Sequence, residues 1–434
     1  MVMTTWTNWA GTAQADVTVA EPATVARMQE LVAGAAERGQ RVKPIGAGHS
    51  FTAIGATDGL QLRLDRLAGI VHADRATGLV TIHAGTRLHA LNEALWSLGL
   101  SMTNLGDIDV QSISGAISTG THGTGAKLGG LATQVRALDL VLADGSLLTC
   151  SASENPDVFA AACVGLGALG VIATVTLKCE PAFALAAAEA PASLDDVLAE
   201  LDQLVIGNDH FEFYWFPHTQ GVLTKRNNRV LPGTELHPLG RIRSWLDDDL
   251  LSNTVFDRIN RVTTRRPNLI PRANRIVARA LSAQDFIDRS YRVFASTRTV
   301  RFREMEYAVP RAAVPEVLAG IAAYLERSGE QVGFPVEVRF AAADDVWLST
   351  AFGRDTGYIA VHQYHRRDHE PYFRAVEKIA TAVGGRPHWG KLHYRDADSL
   401  RSDYEHFDDF VAVRDRLDPQ RRFGNEYLAT VLGA

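Results

Sequence analysis

Arg41 to Phe51, RVKPIGAGHSF, is the stretch on which the fold turns. Val42, Pro44 and Ile45 read as a short apolar strand running into a loop that holds Gly46, Gly48 and His49. Two glycines within three positions let a backbone turn tightly and approach an anion with no Cβ in the way. Taken alone, the segment fits an ordinary β-turn as well as an anion cradle, because short glycine motifs recur by chance. The two readings separate only if the rest of the chain supplies partners.

A second unusual tract supplies some. Gly106 to Gly125, GDIDVQSISGAISTGTHGTG, carries five glycines and many hydroxyls but few large apolar side chains. Such a segment cannot build a core, yet it can surround a polar ligand with N–H and O–H donors. Ile108, Val110, Ile113 and Ile117 are spaced to anchor it, so it reads as a buried loop wrapped around a ligand and not as a solvated linker. A third glycine run, Gly165 to Gly170 (GLGALG), has the letters of a dinucleotide fingerprint. It precedes the apolar run Val171 to Leu177 where a fingerprint should open a helix, so it reads as a turn that packs backbone on backbone.

Bulk properties narrow the class. The chain has 434 residues, too many for one hydrophobic core, so two domains are expected. It is 46% hydrophobic and 22% charged, with net charge −6, pI near 6.2 and mean hydropathy −0.05. That balance argues against nucleic acid as a partner. No apolar run reaches the roughly 18 residues of a membrane span. No basic stretch followed by an apolar segment opens the chain, and Cys150, Cys163 and Cys179 show no CxxC spacing. A cytoplasmic protein with reduced cysteines is expected.

Amphipathic helices are expected at 21–38 and 88–98, short strands at 41–45, 60–64, 69–73 and 79–84, and a hairpin from Gln134 to Cys150 about Asp144-Gly145. One α+β unit closes near Pro181. Ala182 to Leu194, rich in alanine, reads as a crossover. Beyond it, strands are expected at 211–216, 299–308, 332–340, 346–352 and 357–364, with helices at 193–205, 310–327, 369–383 and 404–416. The arginine-rich segment 226–298 reads as loops and short helices covering something.

In the second half, Val336-Glu337-Val338-Arg339-Phe340 alternates apolar and charged residues, so Glu337 and Arg339 share one face of a strand. His388-Trp389-Gly390-Lys391-Leu392-His393 flanks a lysine with bulky and small neighbours. Ala360, His362 and Tyr364 alternate on another strand and could line a pocket. His362, His365 and His369 lack carboxylate–histidine spacing for a metal site, and no metal is expected.

PIGAGHS, SISGAISTGTHGTG, GALGVI, PVEVRF and HWGKLH, in that order along nearly the whole chain, resemble the vanillyl-alcohol-oxidase type of flavoprotein. Within that type the chain resembles the sugar-lactone and alditol oxidoreductases. The resemblance implies an α+β fold of two domains: a PCMH-type FAD-binding domain at 1–181, and a substrate (cap) domain at 182–434 with an antiparallel sheet, whose C-terminal part returns to the flavin site. It implies FAD held by Pro44, Ile45, Gly46, Ala47, Gly48, His49 and Ser50, with His49 bonded covalently to the flavin. Ser112, Ser114, Gly115, Thr119, Gly120, His122 and Val171 are implied as further cofactor contacts, although His122 could equally be a buried histidine with no ligand contact. Glu337, Arg339 and Lys391 are implied as catalytic. Arg339 would assist loss of a hydroxyl proton or stabilise the alkoxide, Glu337 would orient it, and Lys391 would place a positive charge beside the flavin. Glu337, Arg339, His362, Tyr364 and His388 are implied as substrate contacts. The implied reaction is oxidation of an aldono-1,4-lactone such as L-gulono-1,4-lactone by hydride transfer to flavin N5. Oxygen (giving hydrogen peroxide) or another electron acceptor would then reoxidise the flavin. The alternative substrate is a polyol such as xylitol or sorbitol.

Overall fold

The computed structural model describes residues 2–240, 256–295 and 300–434. Three sheets carry the architecture. In the first, Val2–Thr7, Gln14–Ala20, Leu60–Arg63 and Val42–Ile45 lie side by side, and Val42–Ile45 runs parallel to Leu60–Arg63. The second is antiparallel, in the order Ile70–Asp74, Leu79–His83, Val171–Lys178, Val135–Val141, Leu147–Ser151. Helices Val25–Glu37 and Leu88–Ser97 form where apolar residues recur at helical spacing. The first buries Met28, Leu31, Val32 and Ala35, and Thr24 caps it by accepting from the Arg27 N–H at 3.1 Å. Each large side chain so buried contributes roughly 2 kcal/mol.

The third sheet has eight strands among the described residues: Gln284–Arg289, Ala184–Ser193, Gly221–Arg229, His210–Trp215, Val336–Ala341, Thr356–Tyr364, Phe302–Pro310 and Arg386–Pro387. Every strand pair in it is antiparallel. One face packs Phe213, Val338, Ile359, Met305 and Tyr307 against helices Val314–Ser328 and Glu370–Ala382. The opposite face, one residue out of phase, carries the charged residues described below. After this sheet the chain returns to the first core, where Trp389, Tyr404, Phe410, Phe423 and Val431 pack with Met28, Leu60 and Val80.

Several expectations are corrected. The alanine-rich segment is no crossover: Ala184–Ser193 is a strand bonded on both sides, and that pairing overrides the helix preference of alanine. Residues 346–352 form turns, because Asp344 accepts from the Val346 N–H at 3.1 Å and the Ser349 hydroxyl at 2.6 Å and curls the chain. The helix expected at 193–205 is two short ones, Leu194–Ala199 and Leu201–Gly207. Strand 332–340 starts only at Val336, after Gly333 and Pro335. Within 226–298 the structure shows helices Phe256–Arg265 and Ile270–Ala280 and the strand Gln284–Arg289, while 241–255 and 296–298 lie outside the described residues. The strands Val2–Thr7, Gln14–Ala20 and Gly221–Arg229 were not foreseen.

Candidate active site

Strand Val42–Ile45 delivers Gly46 to Ser50 to the wall of a groove. A Cβ on Gly46 would meet the Ser112 Oγ at 2.1 Å, so only glycine permits the two loops to touch. Gly48 has φ +69°, a left-handed conformation that a side chain would strain. Ser112 caps the helix Ile113–Ser118 by accepting from the Gly115 N–H at 3.3 Å, so part of the expected loop is helical. Of the foreseen cofactor contacts, Pro44 through Ser50, Ser112, Ser114, Gly115 and Thr119 line the groove. Gly120, His122, Val171 and Lys391 do not, although Gly170 and Ile172 on either side of Val171 do. Sequence reading missed Trp6, Lys43, Gln111 and Gly167 in the lining.

The groove suits a long, anionic, hydrogen-bonding ligand. Glycine-bearing turns at 46–48 and 167–170 and the helix Ile113–Ser118 line it, and the Gln111 Oε1 in its wall is buried without a protein partner. Lys43 is fully sequestered, donating to the Gly167 and Phe423 carbonyls at 3.1 and 3.0 Å, and burial lowers its pKa to about 7. His49 lies at the groove's edge. Burial first, then Lys391 and Arg87, push its pKa down to about 4, so its imidazole is neutral at pH 7.

Next to this groove stands the charged face of the eight-stranded sheet. Glu337 lies opposite Tyr214 on one side and Ala360 on the other, and Arg339 lies opposite Tyr358. The Arg339 guanidinium donates from Nε to Glu212 at 2.9 Å, lies 3.3 Å from the Asp107 carboxylate and is ion-paired with Glu337. The Tyr214 hydroxyl bridges Glu212 and Glu337 at 3.1 and 3.2 Å. Burial opposes the charge on Arg339, but Asp107, Glu337 and Glu212 outweigh it and raise its pKa well above the usual value. Asp107 comes from the Gly106–Gly125 tract, so that tract reaches both the groove and the sheet.

Two strands from Glu337 and Arg339, Glu304 and Glu306 project from the same face, opposite His362 and Ala360. Lys391 is ion-paired with Glu304. Burial works against its charge, and Glu304 and Glu306 hold it protonated above the usual lysine value. His362 donates from Nδ1 to the Pro335 carbonyl at 3.2 Å, and its Nε2 is buried 3.5 Å from Glu304 with no closer partner. His388 accepts from the Gly390 N–H at 3.0 Å and is held near pKa 4 chiefly by burial. The Phe51 N–H bonds the Gly390 carbonyl at 2.7 Å, which ties the His49 loop to the HWGK segment.

Glu337, Arg339, Lys391, His362 and His388 therefore converge. Tyr364 stands apart: it is buried in an aromatic cluster with Phe51, Phe302 and Phe334, and its hydroxyl bonds Asp257 at 2.8 Å. Asp107, Glu212, Tyr214, Glu304, Glu306 and Tyr358 were missed. The alternation Glu304-Met305-Glu306-Tyr307 has the same period-two form as VEVRF and could have found two of them.

Residues 17–151 match the FAD binding domain family, and residues 175–431 match the D-arabinono-1,4-lactone oxidase family. The chain is 44% identical to L-gulono-1,4-lactone dehydrogenase of Mycobacterium tuberculosis over 431 residues, 99% of each chain. It is 36% identical to L-gulonolactone oxidase of Bos taurus, over 95% of this chain and 94% of that one. The fold matches the crystal structure of cholesterol oxidase from B. sterolicum with a TM-score of 0.83 over 99% of this chain and 97% of that one, at 19% identity. Two domains, FAD-binding and lactone-oxidase in kind, account for nearly the whole length, and the chain belongs to the D-arabinono-1,4-lactone oxidase family of FAD-dependent oxidoreductases.

Proposed function

We propose that this protein oxidises an aldono-1,4-lactone, with L-gulono-1,4-lactone as the leading substrate, using FAD attached covalently to His49. The observation that carries the reading is Arg339, a buried guanidinium ringed by Glu337, Glu212 and Asp107 on a sheet face that adjoins the cofactor groove. FAD, when bound, supplies the hydride acceptor. Arg339 would stabilise negative charge on the reacting substrate oxygen, and Glu337 holds the guanidinium plane in place. Lys391 keeps a positive charge at the cofactor side of the pocket. His362 Nε2, 3.5 Å from Glu304 and with no closer partner, faces a second substrate hydroxyl, and His388 bounds the pocket. The neutral His49 imidazole has a free ring nitrogen available for bonding to the flavin methyl carbon.

Oxygen or a different electron acceptor completes the cycle. We place the division between domains near residue 181; Val171–Lys178 belongs to the second sheet and Ala184–Ser193 to the third, which supports that reading. The three cysteines are buried and unpaired, which suits a reducing, cytoplasmic setting. Among the described residues no helix is long and apolar enough to cross a membrane.

Turnover of L-gulono-1,4-lactone against xylitol and sorbitol, each with oxygen and with an artificial dye as acceptor, tests the assignment. Activity confined to the polyols would overturn it. Yellow, fluorescent protein after acid precipitation tests the covalent link independently.

A further inference from the structure

His122 belongs to the tract foreseen to wrap the cofactor, yet its ring does not line the groove. Its Nδ1 bonds the Gly123 carbonyl at 2.9 Å and its Nε2 faces the Glu306 carboxylate at 3.1 Å. Both neighbours are acceptors, so both ring nitrogens are called on to donate. The pair therefore holds one proton more than a neutral imidazole and a carboxylate. Tyr358 lies flat on the same ring, centroids 3.4 Å apart and planes 15° apart, a stacking that favours a charged imidazole. His122 and Glu306 are both buried, which makes an unpaired member of the pair costly.

The position of this pair in the chain gives it a task. Three residues before His122, Thr119 lines the cofactor groove. Two residues after it, the Thr124 hydroxyl accepts from the Phe340 N–H at 3.1 Å and also donates to the Phe211 carbonyl. The Gly125 N–H bonds the Phe340 carbonyl at 2.7 Å, and Gly125 forms a bridge with Ala341. Phe340 directly follows Arg339. A short segment of backbone thus runs from the groove to the strand of Glu337 and Arg339, and the His122–Glu306 pair pins its middle to the sheet.

His122, Glu306 and His388 also lie close enough together to share a metal ion, their ligand atoms within 4.8 Å of one another. The His388 Nδ1 accepts from the Gly390 N–H, so its other nitrogen carries a proton and offers no lone pair. A shared proton satisfies this geometry better than a cation.

We infer that His122 and Glu306 are positioning residues, a buried proton-sharing clamp that sets the distance between the cofactor-holding loop and the Glu337/Arg339 strand. The inference rests on the proposed roles of those two residues. Displacing reacting groups by an ångström costs on the order of 100-fold in rate, so a clamp of this kind acts on turnover without touching substrate.

The test uses holoenzyme variants H122A, E306A, the double variant and E306Q. It reads FAD content, bound metal, KM, and the rate of anaerobic flavin bleaching by L-gulono-1,4-lactone. Expected is a loss of roughly 10- to 100-fold in bleaching rate for each alanine variant, with FAD content and KM near those of the parent. The double variant should be no slower than E306A, which already deletes the contact that H122A removes, besides the Glu306 charge near Lys391. E306Q should recover most of the rate, since its amide can donate to a neutral His122. Should neither alanine variant fold, E306Q decides: a rate as low as that of R339A overturns the clamp. Multiplicative losses, FAD loss in parallel with rate, or one metal ion per chain would each overturn it as well. Failure of the proposed function is a separate result, namely R339A that oxidises the lactone undiminished.

Discussion

Trp9 lies flat against His49, ring centroids 5.4 Å apart and planes 20° from parallel. The contact is built from the N-terminus of the chain. The Trp9 N–H bonds the Gly48 carbonyl at 2.8 Å, and the Asn8 amide bonds the Ser50 carbonyl at 3.0 Å. The turn after the first strand thereby braces the loop that the glycines leave free to bend, and it holds the imidazole in one orientation in the groove wall.

Two variants separate attachment from binding. H49A should yield protein that still takes up FAD through the groove but loses it on acid precipitation. W9A keeps the imidazole yet frees its ring, so a smaller fraction of chains should carry acid-stable flavin. In-gel fluorescence after denaturation reads both. Acid-stable flavin on H49A would exclude this residue as the attachment point.

The contact between Gly46 and Ser112 predicts a rescue. G46A drives a methyl into the Ser112 hydroxyl, which a Cβ there would approach to 2.1 Å. Overpacking of this kind costs about 1–3 kcal/mol. FAD affinity and thermal midpoint should fall together. Adding S112A removes the clashing oxygen and should restore part of both, at the expense of the cap on Ile113–Ser118. A double variant no better than G46A would mean that the strain lies in the backbone and not in this pair.

Arg339 and its carboxylates predict a graded series. R339K keeps the charge but gives up the planar fork that reaches three acids at once. Losing an electrostatic partner of a developing alkoxide typically costs about 100- to 1,000-fold in kcat. E212Q leaves Arg339 paired to Glu337 and Asp107, so the loss should be smaller and should fall on kcat more than on KM. Steady-state kinetics with the lactone measure both. Equal effects of R339K and E212Q on KM alone would reassign the cluster to binding.

Much of the cofactor side was legible because it is written in local backbone requirements. Glycines at 46, 48 and 115 and hydroxyls at 112 and 114 announce a chain that must turn closely and donate hydrogen bonds, and they line the groove. The substrate side was legible only in part. VEVRF shows its period within five residues, whereas the partners of Arg339 come from Asp107 and Glu212, far off in the sequence and brought together by strand register. His122 shows the limit most clearly. A glycine-rich neighbourhood suggested a cofactor contact, and the ring turned instead to Glu306, a residue 184 positions later in the chain. Ala184–Ser193 was misjudged for a related reason, because its strand character resides in two neighbours and not in its own composition.

Two buried histidines predict how stability depends on pH. His393 accepts from the Arg395 N–H at 3.3 Å through Nδ1 and shares its Nε2 with the Tyr427 hydroxyl at 2.9 Å, while His388 accepts from the Gly390 N–H. A second proton on either ring would face a donor, and burial, the largest cause, holds both near pKa 4 against a usual 6.5. In the unfolded chain each binds a proton below about 6.5. Between that value and about 4 the unfolded state carries more protons than the folded one, so stability is fully present above pH 6.5 and falls as the pH drops through this window. Glu304, lowered to about 2 against burial by Lys391 and His362, acts in the same direction but only below its usual 4.5. Urea midpoints should therefore decline as the pH falls from about 6.5 toward 4, and decline less in H393N, which has lost one of these buried histidines. A midpoint unchanged between pH 7 and 5 would mean that these imidazoles take up protons in the folded state.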